Sequence, residues 1–368
     1  MMRQICSVPN VRQIRALFAA LAVPLLLSWT STASDTKLDA VYAADQQADA
    51  RQSAGVKIAQ TSRAKTAKSA PTASKSASAK AGRKKSSTKP IRLKIEVPCR
   101  AWVPKNVQPK VVLLCVHGLG LNSGSFEDFG RQMQGQGIGT FAVDVRGFGT
   151  WINLKGKEKC DFASCISDVV QALNVLHTAY PDKPIFILGE SMGGAIALHV
   201  AAEHQDMISG LISSVPSGDR FHKMKNKLSV ALHLATLRAN RPIDVGAKVI
   251  EEATDDPAMR AKWKDDPFDR LKLSSKELMQ FQRFMSENNQ MAKRIDKIPV
   301  LYLVGLNDKL VKPEGTVELY NETATADKKL ATIKNSEHLI FELHKISPEL
   351  RGVIVNWLLT HAQKRSQA

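Results

Sequence analysis

The chain has 368 residues, 43% of them hydrophobic and 6% aromatic, with a formal net charge of +17. That length permits two domains, although α/β architectures often run to roughly 250 residues or more as one. Residues 45–90 carry a net +9, residues 1–44 carry +2 and the remaining 278 residues +6, so the basicity belongs mainly to a front segment and does not mark a nucleic-acid-binding fold.

Taken in chain order, Arg3, Arg12 and Arg15 precede the apolar stretch 16–27, which is too short to span a bilayer. Small residues follow, with cleavage expected after Ser34 or Ala43, the layout of a secretory signal peptide over residues 1–43. The expectation is export to the periplasm or the medium, with an uncleaved membrane anchor as the competing reading. Residues 44–90 are rich in Ala, Ser, Lys and Gln and nearly devoid of large apolar side chains. Such a segment buries too little to offset ordering entropy, so a disordered basic linker is expected. Its default state is solvated; weak contact with an anionic envelope polymer or membrane surface is the sharper reading.

From residue 91 the pattern changes. Ile91, Leu93, Ile95 and Val97 alternate with polar residues, which suits a half-exposed antiparallel edge strand. Apolar strands are expected at 110–116, 138–145, 184–188, 209–215, 299–304 and 329–333, and helices at 163–179, 192–204 and 345–362. Alternation of this kind predicts an α/β fold, a mostly parallel, doubly wound sheet with helices on both faces. It breaks across 217–296, where apolar residues recur at helical spacing and further helices are expected at 246–253, 257–264 and 275–293. The reading is a core of residues 91–216 and 297–368 with a helical cap of residues 217–296 inserted between them. Residues 219–248 hold seven basic and two acidic side chains, either a solvated face or a surface that favours lipid interfaces.

Chemistry enters at Gly189-Glu190-Ser191-Met192-Gly193, a G-x-S-x-G between an apolar strand and a helix. This is the sequence form of a nucleophile elbow, with Ser191 held above the sheet and the Met192 N–H at a helix N-terminus. A serine nucleophile needs a base, an acid to orient the base, and donors for the oxyanion, with the acid and base following the serine in this fold class. Asp308 ends the run 299–304 plus Gly305-Leu306-Asn307, and His338 follows the short strand 329–333. Both fall at strand ends, where the sites of open α/β sheets collect. The rivals are Asp144 as acid and His344 as base; Asp308 by itself also reads as a turn residue. The second oxyanion donor is expected from Leu119 in His117-Gly118-Leu119-Gly120, with His117 holding the loop.

These motifs, together with Asp144-Val145-Arg146-Gly147-Phe148-Gly149 and Glu337-His338, occur in the order seen in α/β-hydrolases. The stretch Asp255-Asp256-Pro257 to Asp265-Asp266-Pro267-Phe268 is similar to a pattern in the monoacylglycerol lipase and lysophospholipase-like branch, the serine aminopeptidase S33-type hydrolases. The resemblance covers roughly residues 110–361 and implies Ser191, Asp308 and His338 as nucleophile, acid and base, with Leu119 and Met192 as oxyanion donors. Leu119 departs from the pattern, since lipases often carry a smaller residue there.

The expected function is therefore hydrolysis of carboxylic esters, with lipid-like acyl groups favoured because a cap supplies an apolar wall. The alternatives are a small-peptide aminopeptidase or amidase on the same triad, and a non-catalytic envelope-binding protein on a hydrolase scaffold. No cofactor is implied, and no His/Cys cluster has metal-ligand spacing. Cys115 lies inside an apolar strand and reads as a buried thiol, whereas a bridge between Cys160 and Cys165 stays open.

Overall fold

The computed structural model describes residues 96–216 and 242–365. The signal segment, the basic linker and most of the 219–248 stretch lie outside them. The strands are β1 (Cys99–Trp102), β2 (Val111–Val116), β3 (Ile138–Val143), β4 (Ile185–Glu190), β5 (Gly210–Ser214), β6 (Pro242–Asp244), β7 (Lys272–Ser274), β8 (Val300–Gly305) and β9 (Lys328–Ile333). The helices are α1 (Glu127–Gly135), α2 (Phe162–Ala179), α3 (Met192–Glu203), α4 (Gly246–Ala253), α5 (Pro257–Asp265), α6 (Ser275–Ser286), α7 (Asn288–Ala292), α8 (Pro313–Glu322) and α9 (Pro348–Arg365).

Seven strands form one sheet in the order β1-β3-β2-β4-β5-β8-β9. All neighbours pair in parallel except β1 with β3. Every residue of β2, β3, β4 and β8 is buried, which is why these strands read as unbroken apolar runs rather than alternating ones. The antiparallel edge falls at Cys99–Trp102, just beyond the alternating run expected to form it; of that run only Glu96 and Val97 are described. Two helices of the core were not anticipated, α1 and α8, the first because its apolar face is only Phe129, Gly130 and Met133.

The strand order reverses direction about β2, with β3 on one side and β4 on the other. Loops leaving β2 and β4 therefore diverge at a topological switch point, where a crevice opens above the sheet. α3 begins at that crevice and is buried from Met192 to Ala202. Its sequence is apolar on nearly every side because it has no solvent face to serve; the exception, His199, is buried and bonds Asn288 Oδ1 at 3.0 Å. On another side of the core, Phe129 and Met133 of α1 and Ile354, Trp357 and Leu358 of α9 join the sheet residues Leu113, Phe186 and Leu301 in one apolar cluster.

Between β5 and β8 the described part of the insertion contains α4 to α7 and the short antiparallel pair β6–β7. The helices match expectation, with the 275–293 segment broken at Glu287. Three-residue strands are too short to carry a readable alternation. Ile250, Ala253, Met259 and Trp263 of the cap pack against Leu121, Leu310, Val311, Leu339 and Leu343, residues from the loops that follow β2, β8 and β9. The cap thus closes over the end of the sheet at which the crevice lies.

Glu277 fastens cap to core. Its carboxylate accepts two bonds from Arg270 Nη2 at 2.8 and 2.9 Å, the N–H and hydroxyl of Ser274, and the N–H of Cys160 before α2. Arg270 in turn donates to Gly147 O. Burial alone would raise the Glu277 pKa, but these donors outweigh it and hold the carboxyl below its ordinary value. Its folded pKa lies below the unfolded one, so its stabilisation is present above the ordinary glutamate range near about 4.3. That stabilisation is lost as pH falls through the lower folded value. Glu277→Ala is expected to lower urea-unfolding stability by about 3–5 kcal/mol near neutrality. The gap to the parent should narrow as the acid range is entered; a pH-independent gap would contradict a charged Glu277.

Candidate active site

β4 ends at Glu190 and α3 starts at Met192, so Ser191 alone makes the turn, at φ 55° and ψ −116°. L-residues avoid this conformation, and it persists only where packing over-determines it. Two glycines make that packing possible. A Cβ on Gly189 would fall 2.1 Å from Gly193 O, and one on Gly193 would fall 2.0 Å from Val116 O. Ser191 N–H donates to Ser214 O at 2.9 Å, which ties the elbow to the end of β5. Met192 is the first residue of α3, so its N–H has no carbonyl within the helix to bond and is directed at the helix N-terminus.

The loop after β2 approaches the same turn: a Cβ on Gly118 would lie 3.6 Å from Ser191 Cβ. His117 is wholly buried and accepts the Val145 N–H on Nε2 at 2.9 Å, which leaves Nδ1 to donate to Gly118 O at 2.8 Å. Both ring nitrogens are committed to the scaffold, and burial depresses the pKa, so this ring stays neutral. Leu119 follows, 8% exposed. Gly120 O accepts the Arg270 N–H, which couples the loop to the cap.

Asp308 and His338 meet. His338 Nδ1 lies 2.7 Å from Asp308 Oδ2, and both side chains are almost fully buried. The carboxylate accepts, so Nδ1 carries the proton and Nε2 is the basic nitrogen. Asp308 Oδ1 accepts the N–H groups of Leu310 and Val311 at 2.8 and 2.9 Å, so the turn-residue reading and the acid reading hold at once on different oxygens. His338 N–H donates to Ala253 O of α4. The rivals are engaged elsewhere. Asp144 accepts from Ser123 N–H, Thr150 N–H and Thr150 Oγ1, and His344 Nε2 bonds Leu339 O at 3.0 Å. Cys115 is fully buried, and Cys160 and Cys165 are buried free thiols.

Residues that the sequence reading passed over complete the surroundings. Glu190 and Glu342 are fully buried. Glu190 accepts N–H groups from Ile340, Phe341 and Glu342 and the Ser214 hydroxyl. An acid directly after the apolar run 184–189 was the available signal, because a charge is buried only with partners. Asn122 donates to both Asp266 and Asp269 of the cap. Burial, then the neighbouring charge of Asp266, pushes Asp269 up to about 8. A cavity of about 320 Å³ in the cap is lined by Ile250, Trp263, Asp269 and Leu271 among others; the proposed nucleophile, acid and base do not border it. Among the described residues no group of three or more His, Cys, Asp or Glu is arranged to hold a metal ion.

Set beside known proteins, residues 107–343 match the sequence profile of the family described as "Serine aminopeptidase, S33". The human protein named monoglyceride lipase is 29% identical over 265 residues, covering 70% of this chain and 83% of that protein. The mouse monoglyceride lipase is 27% identical over 264 residues, covering 70% and 84%. Among solved structures, the monoacylglycerol lipase of Paleococcus ferrophilus superposes with a TM-score of 0.61 at 25% identity, covering 72% of this chain and 99% of that one.

The elbow's tightness is testable. Gly193→Ala must displace the backbone of a buried strand, at a cost of at least about 1–3 kcal/mol, whereas Gly135→Ala at the end of α1 meets open space. Thermal unfolding should show a clear drop in Tm for the first and little change for the second. Equal Tm values would contradict the close approach at Val116.

Proposed function

The chain belongs to the serine aminopeptidase S33 family of α/β-hydrolases, in its monoacylglycerol lipase-like branch, and on that premise we propose that it cleaves lipid-like carboxylic esters through an acyl-enzyme on Ser191. That it is a carboxylic ester hydrolase follows from its relatives. The observation that carries the mechanism is the Asp308–His338 bond at 2.7 Å, formed between loops that close over the same crevice as the strained serine.

In this reading Ser191 Oγ attacks the ester carbonyl carbon while His338 Nε2 takes the hydroxyl proton. Asp308 holds the imidazole in the required tautomer and stabilises the imidazolium that forms. The N–H groups of Leu119 and Met192 receive the oxyanion, where preorganised donors act without solvent reorganisation. Collapse of the tetrahedral adduct breaks the C–O bond, and the proton passes from His338 to the leaving alcohol. Water then repeats the sequence on the acyl-enzyme and releases the acid.

Lipid-like esters are favoured over small polar ones by the likeness to monoglyceride lipases. They are also favoured by the apolar cap residues Ile250, Met259 and Trp263 set against Leu121, Leu310 and Leu339 of the site loops. The amide-cleaving alternative requires an acidic group to receive a substrate's amino terminus. Asp266 and Asp269, joined to the oxyanion loop through Asn122, are the acids that would support it.

A fluorophosphonate probe should label Ser191, and Ser191→Ala should abolish labelling; label retained in that variant would sink the nucleophile. Asp308→Asn should lower kcat roughly 10⁴-fold through the wrong imidazole tautomer, measured on a soluble p-nitrophenyl ester.

Substrate class is read from chain length. Each buried methylene offers about 0.8 kcal/mol, and whatever part is felt in the transition state raises kcat/KM. Activity should climb from acetyl toward medium-chain glycerol esters. If acetyl esters or aminoacyl amides are turned over faster, the esterase or peptidase alternative replaces this one.

A further inference from the structure

Glu342 stands four residues after the proposed base and touches the opposite side of the site. Its Oε2 accepts the Gly118 N–H at 3.0 Å, and its Oε1 lies 2.5 Å from Ser125 Oγ. Ser125 Oγ is also 2.7 Å from Asn122 O. A serine hydroxyl has one hydrogen, and a backbone carbonyl can only accept. With the Ser125 proton given to Asn122 O, the short contact to Glu342 can be a hydrogen bond only if the carboxyl supplies the proton. Every polar atom is then satisfied in one line: Gly118 N–H to the Glu342 carbonyl oxygen, the Glu342 O–H to Ser125 Oγ, and the Ser125 O–H to Asn122 O.

The surroundings agree with that protonation state. Glu342 has no solvent contact. Burial first, and then the charge of Glu190, raise its pKa well above the ordinary glutamate value. Burial raises the Glu190 pKa too, but of the two Glu190 is the carboxyl suited to keep the charge, because all its partners are donors: the N–H groups of Ile340, Phe341 and Glu342 and the Ser214 hydroxyl. Two bare carboxylates in this space would repel each other in a medium of low dielectric. One ionised and one neutral carboxyl do not.

We propose that Glu342 is a positioning residue of the oxyanion site: a neutral carboxylic acid that grips the 118–122 loop at Gly118 and, through Ser125, at Asn122, and so fixes the Leu119 N–H between them. This rests on the reading of Leu119 as an oxyanion donor. The loop's other fastenings lie to either side of these grips: the buried His117 ring before Gly118, the turn bond from Leu121 N–H to Gly118 O at 3.3 Å and the Arg270 N–H on Gly120 O, and the Asn122 amide on Asp266 and Asp269. A donor that must meet a developing charge loses its value if it has to be oriented during the reaction. Ser125 itself is anchored, since its carbonyl accepts the Leu343 N–H at 2.8 Å. The same chain that places Glu342 therefore also places the hydroxyl it bonds.

The experiment compares Glu342→Ala, Glu342→Gln and Ser125→Ala with the parent on a soluble ester. Glutamine can accept from Gly118 with its carbonyl and donate to Ser125 with its amide, so it reproduces a neutral acid and not a carboxylate. Glu342→Ala should lose roughly 10²–10³ in kcat, the scale of one oxyanion donor, with KM nearly unchanged. Glu342→Gln should recover most of that loss, and Ser125→Ala, which cuts only the second grip, should fall between them.

Affinity for a trifluoromethyl ketone, which forms a tetrahedral adduct with the serine, should fall in step with kcat. Affinity for a non-reacting ether analogue should hold. Because Asp269 is also pushed up to about 8, the readout is the infrared difference between the parent and Glu342→Gln, which should show the loss of one protonated-carboxyl band. If Glu342→Ala does not fold, Ser125→Ala and the infrared band carry the test. Glutamine as damaging as alanine, an unchanged kcat in Glu342→Ala or Ser125→Ala, or no protonated-carboxyl band lost on Glu342→Gln would each overturn the proposal. Fluorophosphonate labelling separates the two readings. An unlabelled parent removes the serine hydrolase mechanism itself, whereas a labelled parent with a fully active Glu342→Ala removes only the positioning role.

Discussion

The Glu190 carboxylate is buried without solvent contact one residue before the elbow, and four donors converge on it: three successive backbone N–H groups at 340–342 and the Ser214 hydroxyl. A charge in that position would cost several kcal/mol if left unpaired, so its partners are not free to drift. The consequence is geometric. The 340–342 segment begins two residues after His338, and Ser214 ends β5, whose carbonyl also holds the Ser191 N–H. One buried carboxylate thereby sets the distance between the nucleophile turn and the loop that carries the proposed base.

The remaining constraints build outward from that tie. Ser191 at φ 55°, Val215 at φ 41° and Leu343 at φ 66° are three of the four non-glycine residues with positive φ among those described, and they flank the same carboxylate. Strain of this kind survives where surrounding bonds over-determine the backbone. Here it marks the ends of β4 and β5 and the loop after His338. Above them, several polar contacts fasten the cap to the core, the bonds of Gly120 and Asn122 to Arg270, Asp266 and Asp269 among them. Arg270 and Glu277 bond Gly147 and Cys160, and Ala253 and Asp255 bond the segment 337–338. The apolar cluster of Ile250, Met259 and Trp263 with Leu121, Leu310 and Leu339 fills the space between. In the proposed mechanism, a cap fastened to the loops of the site serves to limit water around the acyl-enzyme.

Much of the core was legible before any coordinates. Strands buried on both faces announce themselves as apolar runs, and β2, β4 and β8 begin and end within two residues of where such runs place them. The elbow was legible because a five-residue motif sat at a strand-to-helix junction. Legibility failed where the signal is short or shared. β6 and β7 are three residues each, below the length at which alternation can be read. The edge strand β1 alternates no better than its neighbours in sequence, and only pairing with β3 distinguishes Cys99–Trp102 from the run before it.

Ser191, Asp308 and His338 were named from chain order and from their places at strand ends, properties that belong to the sequence because a parallel sheet delivers every strand's end to the same side. The sequence therefore determined the fold class and pointed to the residues proposed as nucleophile, acid and base. It did not determine which of those residues touch. Asp144 and Asp308 both end strands, and only the closing of the 334–343 loop brings His338 to Asp308 at 2.7 Å while Asp144 turns to Ser123 and Thr150. Glu190 and Glu342 are 152 residues apart, and nothing in their local sequence says that one will be bonded by the other's own N–H. Contacts at that separation depend on how loops from different strands pack, where burial removes water as an alternative partner and leaves each polar group with the few partners the tertiary structure provides.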